Sequence, residues 1–98
     1  MSLRLWIDDL RTPPDDTWDW VTTSEAAIAL LTHFQRDGML WIPREAISFD
    51  HDLGGDDTSR RVVLWMIENN FRFDRYAVHS ANPVGREWLL GMIERYLI

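Results

Sequence analysis

Two short acidic runs follow apolar stretches of this sequence: Asp8-Asp9 and Asp50-His51-Asp52. A third run, His79-Ser80, adds an imidazole and a hydroxyl. Carboxylates gathered at one place repel one another and raise one another's pKa unless a divalent cation, an Arg or a protonated His compensates them. Hard oxygen ligands of this kind suit Mg²⁺, Ca²⁺ or Mn²⁺, so Asp8, Asp9, Asp50 and Asp52 are candidate metal ligands. The plainer alternative is that single Asp residues cap loops or helices through backbone N–H groups. Two imidazoles facing one pocket can serve as acid and base in phosphodiester cleavage, which makes His51 and His79 candidate catalytic residues alongside Asp50. They could instead bind a transition metal with the Asp residues, or be structural histidines that donate to a carboxylate. His33 falls in the middle of a helical segment and reads as a surface residue.

Anion donors stand beside these groups. Asn82-Pro83 is a strong helix start, with Asn as the cap and Pro at the first helical position. Free N–H groups at such a terminus favour phosphate. Ser80, Asn82 and Arg86 lie in or beside that turn, and Arg11 follows the first acidic pair either as a phosphate ligand or as its counter-charge. Gly54-Gly55 would let backbone approach a ligand closely.

The elements that must position these residues alternate in type. The sequence predicts strands over 3–7, 18–21, 46–49 and 76–78. Thr22-x-x-Glu25 fits a capping box for a helix running to about Gln35, with Gly38 as its stop. Its apolar residues Ala26, Ile28, Leu30, Leu31 and Phe34 are spread around an inward stripe. Thr58 or Ser59 would cap a second helix to about Asn69, with Val62, Val63, Met66 and Ile67 at helical spacing. The third helix follows Pro83 and turns Leu89, Met92, Ile93, Tyr96 and Leu97 inward. Pro13-Pro14 rules out a helix between the first two strands, and Trp41-Ile42-Pro43 reads as a packing loop or an interface. This order implies an α/β fold with a mostly parallel sheet and right-handed crossovers. Parallel topology brings the ends of strands one, three and four, and hence all three reactive runs, to one edge, where open α/β sheets bind ligands.

The totals fit one domain spanning 1–98. The 98 residues carry a formal charge of −6 and contain no Lys and no Cys. An acidic surface argues against a groove that tracks duplex nucleic acid. The absence of Cys excludes disulfides, thiolate catalysis and Cys-based metal sites. No apolar run has the length of a membrane span and no signal peptide is visible, so a cytoplasmic protein is expected. Six Trp is a high number for this length. Exposed ones such as Trp18 or Trp88 could stack on a base or dock a partner.

Asp8-Asp9 after the first strand, Asp50 ending the third and Ser80 ending the fourth resemble a receiver domain of two-component signalling. In receivers the acidic pair holds Mg²⁺ and the third-strand Asp accepts a phosphoryl group. The chain departs from them: it lacks the first receiver helix and the fifth strand with its Lys, and it carries extra histidines. The missing Lys speaks against a phosphoacceptor at Asp50. The chain is more similar to the receiver-derived family predicted to process cyclic phosphates. The resemblance rests on residues 5–14, on Trp20-Val21-Thr22-Thr23 with Glu25-Ala26, on Ile47-Ser48-Phe49-Asp50-His51-Asp52-Leu53-Gly54 and on His79-Ser80-Ala81-Asn82-Pro83-Val84-Gly85. It departs from that pattern at Phe49, where Leu is expected, and at Thr58-Ser59-Arg60, where a Gly is expected. The resemblance implies a small receiver-like, flavodoxin-like four-stranded sheet with about three helices. It also favours phosphoesterase activity on a cyclic phosphate of a nucleotide or an RNA end, with Mg²⁺ or Mn²⁺ as the candidate cofactor and Arg11, Ser80, Asn82 and Arg86 contacting substrate. The alternative is a non-catalytic module that binds a nucleotide or phosphorylated partner.

Overall fold

The computed structural model describes residues 4–36 and 41–97. Seven elements follow one another: β1 (Arg4–Ile7), β2 (Asp19–Val21), α1 (Ser24–Arg36), β3 (Trp41–Phe49), α2 (Arg60–Glu68), β4 (Arg72–Val78) and α3 (Pro83–Tyr96). All strands are parallel, in the order β2-β1-β3-β4. The expected receiver-like α/β architecture is therefore present, and the order is that of the first four strands of a flavodoxin-like sheet. Successive strands leave β1 in opposite directions, so the crevice between β1 and β3 is the switch point at which such sheets bind ligands.

Strand periodicity decides which face is buried. Leu5 and Ile7 of β1, Ile47 and Phe49 of β3 and Val78 of β4 join one core with Ala27, Leu31 and Phe34 of α1, Val62, Val63 and Met66 of α2, and Leu89 and Ile93 of α3. Each of these side chains larger than Ala contributes about 1.5–3 kcal/mol when fully buried. The alternate residues Trp6 and Ser48 point to the opposite face. There the loop between β1 and β2 does what a helix does in a receiver. Trp18 packs edge-on against Trp6 at 5.6 Å, and the Arg4 guanidinium lies 4.4 Å from the Trp18 ring centre.

Several local expectations change. β3 starts at Trp41 and β4 at Arg72, earlier than polarity suggested; a register shift between Ile42 and Ala46 accommodates Pro43. Trp41-Ile42-Pro43 is thus strand rather than loop. Thr23, not Thr22, caps α1, because its Oγ1 accepts the Ala26 N–H. Ser59 precedes α2 without capping it, since its hydroxyl donates to the Asp50 carbonyl. Tyr96 is exposed rather than inward. Leu3 and Gly38 lie outside the described residues. Among the described residues no helix is long and apolar enough to cross a membrane.

Candidate functional site

Backbone hydrogen bonds continue past the strand ends and fix the site residues in place. Asp8 N–H donates to Val21 O at 3.1 Å, Asp50 N–H to Ile7 O at 2.8 Å, and His79 N–H to Phe49 O at 2.9 Å. Carboxylate oxygens of Asp8, Asp9 and Asp50 consequently come within 4.8 Å of one another. Asp8 is 1% exposed, and its Oδ1 accepts the N–H groups of Leu10 and Arg11, both at 2.8 Å. Burial alone would push its carboxyl up, but those N–H groups and His79 outweigh it and hold Asp8 below the ordinary carboxylate range. Asp50 goes the other way: burial, and next the Asp8 charge, push it up against a bond from Ser80. The trio thus gathers hard oxygen donors, with the Asp8 charge acting on Asp50. That donor chemistry fits Mg²⁺ or Mn²⁺.

His79 stands behind this trio. Its Nε2 lies 2.9 Å from Asp8 Oδ2 and its Nδ1 2.7 Å from Ser48 Oγ. The ring stacks on Trp6 at 4.0 Å with 5° between planes. The Trp6 indole N–H in turn donates to Arg11 O, and the Trp20 indole N–H to Asp8 O, both at 2.8 Å. Burial pulls the imidazole below its ordinary pKa, against the pull of Asp8.

His51 belongs to a second network. It is 5% exposed and lies under the first turn of α3. Its Nδ1 is 3.0 Å from Asp52 Oδ1, and its Nε2 accepts from Arg60 Nε at 2.8 Å. Because an Arg can only donate, the proton is on Nδ1 and faces Asp52. The Asp52 carboxyl is largely exposed, and the His51 bond, then that from Asn82, lowers its pKa. Both ring nitrogens of His51 and of His79 thus have hydrogen-bond partners within the protein. Asp52 is bound to His51 and Asn82 and is not part of the carboxylate trio.

A cleft of about 420 Å³ opens above the trio, lined by Asp9, Arg11, Asp50, Asp52, Ser80 and Asn82 among others. Asn82 caps α3 as expected, its Oδ1 accepting Gly85 N–H at 3.1 Å. Gly54, at φ +91°, lets the loop pass Asp9; a Cβ there would lie 3.3 Å from Asp9 Oδ2. Arg11 reaches the cleft and donates to His79 O at 2.8 Å. Arg86 does not line the cleft, because its guanidinium donates to Val78 O. The exposed Trp near the site is Trp20, not Trp18 or Trp88; Trp88 lies beneath the Arg60 guanidinium, 4.9 Å from its ring centre.

Trp6, Ser48, Arg60 and Asp57 support the site without a site role that the sequence alone assigns. Asp57 ties the glycine loop to α1 by accepting Ser24 N–H and Oγ–H at 2.9 and 2.5 Å. Ser48 did carry a signal: it is a lone hydroxyl inside the apolar run of β3.

Neither curated proteins nor solved structures yield a match to this chain. A family model described as the cyclic-phosphate processing receiver domain matches residues 3–95. The match covers the carboxylate trio, both histidines and the α3 cap, and the chain belongs to the cyclic-phosphate processing receiver domain family.

Proposed function

We propose that the chain hydrolyses a cyclic phosphate, on a nucleotide or at an RNA end, in the cleft above Asp8, Asp9 and Asp50. The observation that carries this reading is the meeting of Asp9 and Asp50 with Arg11, Ser80 and Asn82 around one opening, with the buried Asp8 carboxylate grouped beside them. Asp8, Asp9 and Asp50 would hold the cation. A divalent ion supplies charge that polarises phosphoryl oxygens and offsets their repulsion by the acidic walls. Arg11 and the Asn82 amide would grip the phosphate oxygens and orient the ring, and the Ser80 hydroxyl would turn from Asp50 to join them once the cation takes up that carboxylate. Water adds to phosphorus as one ring P–O bond breaks. Asp52, an anion at the cleft wall backed by His51, accepts the proton lost by water, and the departing oxygen takes a proton from solvent. His79 acts behind Asp8. The product is a phosphomonoester with a free hydroxyl.

The test is turnover of 2′,3′-cyclic nucleotides, 3′,5′-cyclic nucleotides and cyclic-phosphate RNA ends, with Mg²⁺ or Mn²⁺ and again with chelator. Turnover lost on chelation supports the reading. Turnover that survives chelation overturns the role of the cation and returns the chemistry to His51 and His79.

A second reading keeps the site and removes the reaction. It is favoured by the full engagement of both imidazoles inside the protein. Quenching of Trp fluorescence by a cyclic nucleotide that is never turned over would select this binding module instead.

A further inference from the structure

The hydroxyl of Ser48 is buried on the sheet face opposite the helices, between the buried apolar residues Ile47 and Phe49 at the end of β3. It meets one polar atom of the site, His79 Nδ1, at 2.7 Å. The other nitrogen of that ring meets Asp8 Oδ2 at 2.9 Å. An ionised carboxylate only accepts, so Nε2 carries the proton. Nδ1 of the neutral ring is then an acceptor, and Ser48 must be the donor. The directions of all these bonds follow from that one fact.

Stacking on Trp6 fixes the plane of the ring but not its orientation within the plane. A half-turn about Cβ–Cγ would keep the stack and move both nitrogens away from their partners. Ser48 and Asp8 together select one of the two orientations. Asp8 has its Oδ1 taken by two backbone N–H groups, so Oδ2 is the oxygen whose direction His79 controls. Carboxylate ligands are commonly aimed in this way by hydrogen bonds from behind.

We propose that Ser48 is a positioning residue of the cation site: its hydroxyl, acting through the His79 ring braced on Trp6, aims Asp8 Oδ2 at the space shared with Asp9 and Asp50. This rests on the cation reading given above. Ser48 touches neither cation nor substrate, and its influence passes wholly through one imidazole.

The experiment is a double-mutant cycle on Mn²⁺ affinity, read by electron paramagnetic resonance of the free ion, which needs no turnover. Ser48→Ala is expected to weaken Mn²⁺ binding about 10-fold. Ser48→Thr, which keeps the hydroxyl, restores most of it. In a His79→Gln background Ser48→Ala should add no further loss, because the route through the ring is already cut. Long-range ¹H–¹⁵N spectra of the parent should show His79 protonated on Nε2, with Nδ1 as a hydrogen-bonded acceptor. An equal loss from Ser48→Ala in both backgrounds, or His79 protonated on Nδ1, overturns the proposal while leaving the cation reading intact. A parent chain that binds no Mn²⁺ overturns both.

Discussion

The imidazole of His51 occupies the space a side chain at residue 85 would need: a Cβ built on Gly85 falls 2.2 Å from His51 Cγ and 2.6 Å from its Nδ1. The ring cannot step aside, because Asp52 and Arg60 hold its two nitrogens. Gly85 therefore serves close packing between the end of β3 and the first turn of α3. Helix propensity favours Ala at this position, but forced overpacking opposes it and is the larger effect. Gly85→Ala should show a net loss of about 1–2 kcal/mol. Urea unfolding checks the sign; a more stable variant would mean that α3 does not rest on His51.

The two cleft-side arginines of the sequence reading separate in the structure. Arg86 spends its guanidinium on Val78 O at the outer edge of β4, whereas Arg11 lines the cleft. Arg86→Ala should remove about 1 kcal/mol of stability and leave binding of inorganic phosphate unchanged. Arg11→Ala should weaken phosphate binding about tenfold, the loss expected for a hydrogen bond to a charged group. Isothermal titration with phosphate in the presence of Mg²⁺ compares the two. An equal loss in both variants would return Arg86 to the anion site.

Fold and site were unequally legible before the structure. The β/α alternation, the Asn82-Pro83 helix start and the acidic strand ends are local patterns, and parallel topology alone brings Asp8, Asp9 and Asp50 together. What stayed hidden depends on direction within a residue. His51 and His79 look equivalent in sequence, since each follows an apolar strand. One is pinned between Asp52 and Arg60, and the other lies between Asp8 and Ser48. The partners of His79 come from strands far apart in the chain, those of His51 from its neighbour and from the start of α2, and no periodicity encodes either set. Arg86 misled for a related reason. Its place in the first turn of α3 suits an anion, but the unpaired carbonyl at the β4 edge competes for it and wins. The extent of β3 and β4 is not legible, because a proline and charged residues interrupt the apolar signal where the pairing shifts register and then resumes.

Stability in the absence of divalent cations should climb with pH in two separate steps. His79 is neutral in the fold, with its pKa pulled below the ordinary value of 6.5 by burial. Between its lowered pKa and 6.5 the unfolded chain binds more protons than the fold, so stability rises with pH there and the contribution ends above 6.5. Asp8 is also lowered, which gives a second rise of the same sign in the acid range, below about 4. Urea midpoints from acid to neutral pH, measured in chelator, trace both. His79→Gln should erase the upper step and shrink the lower one, since His79 is among the groups that hold Asp8 down; an unchanged upper step would mean that another group titrates there.

Asp50 has the opposite sign. Its folded pKa is raised, so its ionisation works against the fold above that pKa, and the effect is relieved as pH falls through it. The causes are burial and then the charge of Asp8, and a divalent cation in the trio would offset both. Asp50→Asn should therefore raise the unfolding midpoint at neutral pH in chelator, by removing a charge the fold resists. In Mg²⁺ the ranking should reverse. The parent gains about 2.7 kcal/mol once the ion reaches a hundred times its Kd, while the Asn variant, with a neutral amide in place of a hard anionic ligand, gains little. Parallel melts of the two proteins with and without Mg²⁺ give the crossing. If both gain equally, the ion that stabilises the chain binds elsewhere, and the carboxylate trio is held apart by the backbone alone.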